Sequence, residues 1–128
     1  LESLGARVIP KNETNRECPP MTIHATGFRG GDVQVAGNVS SQFLSGLMMA
    51  APYAASNLAI QITGELVSRP YVDMTAAVMQ AFGVSVSVQE SVVNVAAPRF
   101  YKGSQYAIEP DASAASYFLA AAAITGGR

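Results

Sequence analysis

The chain repeats itself. Ser41-Gln42-Phe43-Leu44 returns roughly 75 residues later as Ser116-Tyr117-Phe118-Leu119. The same spacing sets Val33-Gln34-Val35 opposite Ile108-Glu109-Pro110, and nearly the same spacing sets Leu4-Gly5-Ala6-Arg7-Val8 before Phe82-Gly83-Val84-Ser85-Val86. A period this long exceeds that of a solenoid, so each copy must be a mixed unit with its own core face.

The pattern within one copy gives its elements. Residues 33–36 read as a strand stopped by Gly37. From Ser41 the apolar spacing turns helical, through Phe43, Leu44, Leu47, Met48 and Ala51, until Pro52 and Ser56-Asn57 end it. Leu58, Ile60 and Ile62 alternate with Ala59 and Gln61 as a half-buried strand closed by Gly64. A second helix follows Ser68, with Pro70 suited to its first turn and Gly83 to its end. Tyr71, Met74, Thr75, Val78 and Phe82 trace its expected inner face. Val84, Val86 and Val88 alternate with serines, and a turn at Gln89-Glu90-Ser91 leads to a last strand over 92–96. Residues 33–96 are thus expected to form one βαβαββ unit. Before it, a helix end at Leu1–Ala6 and a strand over 21–25 close an earlier unit; after it, a strand over 106–109 and a helix over 113–124 open a third. The expected class is α/β (α+β), with helices packed together and sheets shared between units. A domain boundary falls between 1–105 and 106–128. The helix-like start and the stop just after another helix suggest a piece of something larger.

Composition narrows the partners. Hydrophobic residues make up 49% and charged residues 13%, apolar enough for a packed core and unlike a disordered chain. Eight basic and nine acidic residues leave a net charge of −1, with no basic run to follow a nucleic-acid backbone. The longest apolar stretch, 112–127, falls short of the ~20 residues of a membrane span and is broken by Ser and Thr. No signal peptide is visible, and the reading is a soluble, cytoplasmic protein without membrane or nucleic-acid partners. Cys18, the lone cysteine, reads as an incidental thiol, and His24 as a structural residue in a strand. No Cys/His cluster offers a metal site. Gly27-Phe28-Arg29-Gly30-Gly31 fits a tight turn better than a phosphate loop, Met48-Met49 reads as core filling, and no acid–base pair stands out. No cofactor is expected.

Anion chemistry is expected at helix starts, where unpaired N–H groups and the dipole attract negative charge. Asn38-Val39-Ser40-Ser41-Gln42 leads from a strand into a helix with two adjacent hydroxyls and a carboxamide. Plain capping would account for one serine; the second and Gln42 exceed that need. Ser68-Arg69-Pro70-Tyr71 repeats the hydroxyl at the next helix and adds a cation and a phenol. A capping Ser, a solvated Arg and a core Tyr explain that segment locally, yet two sequential helices begin with the same chemistry. The third start, Glu109-Pro110-Asp111-Ala112-Ser113, carries two carboxylates that would repel a phosphate.

These segments carry a resemblance. Ser40-Ser41-Gln42-Phe43-Leu44, Ser68-Arg69-Pro70-Tyr71-Val72-Asp73-Met74-Thr75 and the run from Glu109 to Ala120 resemble, in order, three signatures of the 5-enolpyruvylshikimate-3-phosphate synthases. The Ser-Ser-Gln element separates them from the sibling UDP-N-acetylglucosamine enolpyruvyl transferases. The resemblance implies an inside-out α/β barrel of βαβαββ units, three to a domain, incomplete here. It implies transfer of the enolpyruvyl group of phosphoenolpyruvate to the 5-hydroxyl of shikimate 3-phosphate, with release of phosphate. Ser40, Ser41 and Ser68 would hold the shikimate phosphate. Gln42 and Tyr71 would contact the ring region, with Gln42 near the phosphoenolpyruvate pocket and the herbicide glyphosate. Arg69 stands where many members carry Lys, which keeps charge but changes geometry. The family's acidic proton-transfer residues and its phosphoenolpyruvate-binding cations match nothing in these 128 residues, so no catalytic residue is expected here and the isolated chain should turn over weakly or not at all. The alternatives are a sibling transferase acting on a nucleotide sugar and a folded fragment without catalysis.

Overall fold

The computed structural model describes residues 1–11 and 19–127; Cys18 lies outside the described residues. A 3-10 turn, Glu2–Leu4, leads into strand β1 (Arg7–Pro10), which pairs antiparallel with β2 (Met21–His24). Then come β3 (Gly31–Ala36), α1 (Ser41–Ala50), a 3-10 turn at Ala51–Tyr53, β4 (Leu58–Thr63), α2 (Arg69–Ala81), β5 (Val86–Val88) and β6 (Val92–Val95). These form the expected βαβαββ unit. Its four strands lie in the order β3-β4-β6-β5, with β3 and β4 parallel and the other pairs antiparallel. Helix α3 (Ala112–Thr125) follows a long irregular stretch.

The unit has one apolar face. Val33 of β3, Leu58, Ile60 and Ile62 of β4, Val86 of β5 and Val93 and Val95 of β6 point to the same side of the sheet, as period-two alternation dictates. Leu44 and Met48 of α1 and Val72, Ala76 and Met79 of α2 close over them. The opposite face, with Asp32, Gln34, Gln61 and Ser87, is exposed. The earlier, partial unit echoes this design: Gly5 ends its 3-10 turn at φ +96°, as Gly83 ends α2 at φ +86°. Only glycine takes that left-handed turn without a Cβ penalty, so the two copies leave their helices the same way.

Four expectations change. Tyr71, Met74, Thr75, Val78 and Phe82 do not form the inner face of α2; Val72, Ala76 and Met79 do. The helix carries two apolar stripes a short rotation apart, and the sheet takes only one. Phe43 and Met49 of α1 likewise point away from the core, at 65% and 51% exposure. The strand expected over 106–109 is absent: those residues are exposed and irregular. A strand needs a neighbour to complete its ladder, and among the described residues none lies beside this segment. The tight turn expected over 27–31 is an irregular entry to β3, with Gly27, Gly30 and Gly31 all at positive φ.

Helix α3 forms with no buried residue. Seven of its residues are Ala, the best helix former, and the Asp111 carboxylate accepts from the N–H groups of Ser113 and Ala114. No helix of the described residues is long and apolar enough to cross a membrane.

Candidate functional site at two helix starts

Because β3 and β4 are parallel and in register, from Gly31 opposite Leu58 to Ala36 opposite Thr63, their carboxyl ends finish side by side. Each strand is followed by a helix, so α1 and α2 start at the same edge of the sheet. This edge is where parallel α/β sheets present ligand sites. The connections are locked together. Gly37 N–H donates to the Thr63 carbonyl at 2.9 Å, and Val67 N–H donates to the Gly37 carbonyl at 3.1 Å.

Ser40 is the N-cap of α1. Its backbone is extended, and its Oγ accepts from the Gln42 N–H at 3.2 Å. The cap role anticipated for one serine is therefore taken by Ser40. Ser41 is the first helical residue and is only 8% exposed. Gln42 is exposed.

Ser68 is different. It sits at φ 58°, ψ 42°, the one non-glycine residue at positive φ among the described residues, and its side chain makes no capping bond. Its carbonyl instead accepts from the Tyr71 N–H at 3.0 Å. A left-handed Ser costs on the order of 1–2 kcal/mol, and such strain collects at sites where geometry serves something other than stability. The hydroxyl of Ser68 is thus free of cap duty.

Tyr71 stands on the outer side of α2 at 58% exposure, not in a core. Arg69 is not a solvated free cation: its Nε donates to both Asp73 carboxylate oxygens, at 3.2 and 3.4 Å, one helical turn on. Both side chains are well exposed, so this pair is worth ~0–1 kcal/mol. The i, i+4 spacing was readable in the sequence, but the pairing was not anticipated. Neither α1 nor α2 has an acidic residue in its first turn, so their positive ends are uncompensated. The Asp111 carboxylate fills that role on α3.

The remaining candidates lie apart from this edge. His24 is exposed at the end of β2, and among the described residues no three His, Cys, Asp or Glu side chains gather as a metal site. An apolar groove of about 290 Å³ is lined by Met49, Met74, Val78, Phe82 and Tyr101, among others, and a cleft of about 360 Å³ crosses the exposed face of the sheet near Asp32 and Asn94. Neither includes Ser40, Ser41 or Ser68. Tyr101 donates its hydroxyl to the Met49 carbonyl at 2.9 Å, and burial, then the neighbouring Tyr53, pushes its pKa up.

The family model described as EPSP synthase (3-phosphoshikimate 1-carboxyvinyltransferase) matches residues 1–128. The chain is 49% identical over 129 residues to the 3-phosphoshikimate 1-carboxyvinyltransferase of Shewanella sp. (strain W3-18-1), covering 99% of this chain and 30% of the relative. It is 45% identical over 130 residues to that of Marinomonas sp. (strain MWYL1), with 100% and 30% covered. The chain thus spans about 30% of the length of these curated relatives. In fold it is similar to EPSP synthase from Acinetobacter baumannii, with a TM-score of 0.67 at 22% identity, over 96% of this chain and 26% of that one.

Proposed function

The chain belongs to the EPSP synthase family, and from that premise we propose that its two helix starts supply hydroxyl and N–H groups to a shikimate-3-phosphate site. The observation that carries the reading is the parallel β3–β4 pair, which brings Ser40-Ser41-Gln42 and Ser68 to one edge. Three hydroxyls and the free N–H groups of two helix ends suit a phosphate, whose oxygens accept several bonds at once. Ser40 caps the first turn of α1 through its oxygen and keeps its O–H proton to give, so Ser40, Ser41 and Ser68 each turn a hydroxyl toward the anion. Gln42 and Tyr71 stand beside them to meet the carbocyclic ring, through a carboxamide and a phenol. Arg69, shared with Asp73, adds charge at the rim.

The whole enzyme's chemistry follows from this role as a wider proposal. A longer polypeptide of the family transfers the enolpyruvyl group of phosphoenolpyruvate to the 5-hydroxyl of the bound sugar-like acid and releases inorganic phosphate. The 128 residues here orient one substrate. Residues 106–128 would serve as crossover and first elements of the next unit. Proton transfer and the phosphoenolpyruvate cations belong elsewhere in the longer polypeptide, so the chain alone binds and does not turn over.

An amide NMR titration of the chain with shikimate 3-phosphate tests the reading, with UDP-N-acetylglucosamine as the competing ligand. Saturable shifts centred on Ser40, Ser41, Gln42, Ser68 and Tyr71 are expected. A dispersed spectrum unmoved by shikimate 3-phosphate would count against a preformed site, and shifts with the nucleotide sugar alone would reassign the family branch.

A further inference from the structure

Between α1 and α2, one turn in from their starts, lies a pair of hydroxyls that the site reading does not use. Thr75, one turn into α2 beyond Tyr71, places its Oγ1 3.0 Å from Ser45 Oγ and 2.7 Å from the Tyr71 carbonyl oxygen. Ser45 is one turn into α1 beyond Ser41. A hydroxyl has one proton, and a carbonyl can only accept. Thr75 therefore donates to Tyr71 and takes its second bond from the Ser45 hydroxyl. The result is a directed chain: Ser45 O–H to Thr75 O–H to the Tyr71 carbonyl. Each bond polarises the next.

We propose that Thr75 and Ser45 are positioning residues, fixing the relation of the Ser41-Gln42 start to the Ser68–Tyr71 start by this relay; the proposal rests on the shikimate-3-phosphate reading above. The surroundings explain why a relay is needed. The rest of the helix–helix contact is apolar, with Leu44, Met48, Val72, Ala76 and Met79. Apolar contacts are non-directional and tolerate small slides of one helix along the other. A bond of 3.0 Å does not, and a half-buried hydroxyl that loses its partner pays a desolvation penalty. The relay ends on the backbone of Tyr71, a residue of the site itself, so a shift of α1 is felt where the ligand binds. Binding groups must be held within about 0.5 Å of their working geometry, and neither helix start is otherwise bonded to the opposite helix by a side chain among the described residues. Thr75 and Ser45 touch no ligand; they act through Tyr71 and the α1 start.

The test measures shikimate-3-phosphate affinity of the full chain and its Thr75→Val, Ser45→Ala, double and Thr75→Ser variants by calorimetry, with amide spectra to confirm folding. Thr75→Val keeps the branched volume and removes the hydroxyl; a loss of about tenfold is expected, equal to one ordinary hydrogen bond. Ser45→Ala should lose a similar factor, the double variant no more than either alone, and Thr75→Ser should stay within about twofold of the parent. If Thr75→Val proves unfolded, Ser45→Ala and Thr75→Ser carry the test. Parental affinity in the hydroxyl-deleted variants, losses that simply add, or no rescue by Ser would each overturn the relay. If the parent chain itself does not bind, the site reading fails and the relay's role falls with it, a result distinct from binding that ignores these substitutions.

Discussion

A Cβ built on Gly37 would lie 2.8 Å from Cγ2 of Ile62. The same atom would stand 3.0 Å from the Glu65 carbonyl oxygen and 3.1 Å from Leu66 Cα, both backbone. The connection from β3 to α1 thus presses against the connection from β4 to α2 with room for hydrogen alone. This contact joins the two connections at the sheet edge, before either helix begins, whereas the Ser45–Thr75 bond joins the helices one turn further in. Gly37→Ala should destabilise the unit by about 1–3 kcal/mol through overpacking, with weakened shikimate-3-phosphate binding even where the chain remains folded. Thermal unfolding and titration of the same sample check both parts.

The two serines that precede the helices should separate stability from binding. Ser40→Ala removes the bond to the Gln42 N–H and should cost about 0.5–2 kcal/mol. Ser68→Gly relieves a left-handed Ser that caps nothing. It should melt at or slightly above the parent, the relief of strain offsetting the added unfolded-state freedom, while binding falls. Unaltered binding in Ser68→Gly would remove Ser68 from the site.

Arg69 and Asp73 share an exposed ion pair. Asp73→Asn should change stability by no more than about 0.5 kcal/mol. It releases the Arg69 guanidinium from its carboxylate, so affinity for shikimate 3-phosphate should rise and become more sensitive to salt. Titrations at low and high ionic strength read this directly.

Helix α2 offers one residue type on both of its apolar stripes. Met79 is 2% exposed and Met74 is 56% exposed. Met79→Ala should cost about 2–5 kcal/mol as a buried cavity forms, whereas Met74→Ala should stay within about 0.5 kcal/mol. Equal losses, measured by denaturant unfolding, would mean that the helix is rotated from the orientation described.

Tyr101 gives a pH dependence. Burial, with Tyr53 adding to it, raises its pKa above the ordinary 10.0. The unfolded chain therefore loses this proton first as pH rises. The contribution is whole below pH 10, then fades as pH climbs through the higher folded pKa. Stability should drop in that window, and Tyr101→Phe should flatten the Tyr101 part of the slope; phenolate absorbance of the folded chain follows the titration.

Much of this architecture was written in local patterns. Alternation at Leu58, Ile60 and Ile62, helical spacing through Leu44 and Met48, and glycines at 5, 64 and 83 mark the strands, helices and stops of a βαβαββ unit. These signals are local because they depend on side-chain period and backbone freedom within a few residues. The helix starts of the candidate site were legible for the same reason: Ser40 and Ser68 directly precede apolar-periodic segments.

What the sequence could not decide were choices between locally equal options. Two stripes on α2 were both apolar, and only the sheet beneath selected Val72, Ala76 and Met79 over Tyr71, Met74 and Val78. Residues 106–109 had a strand's alternation but, among the described residues, no neighbouring strand to share its ladder. The left-handed turn of Ser68, the Arg69–Asp73 pair and the Ser45–Thr75–Tyr71 chain depend on distances across space. Thus the sequence determined the order of elements and the hydroxyls at their starts. The tertiary structure decided which faces meet and how far apart those hydroxyls stand, because such contacts are set between segments distant along the chain.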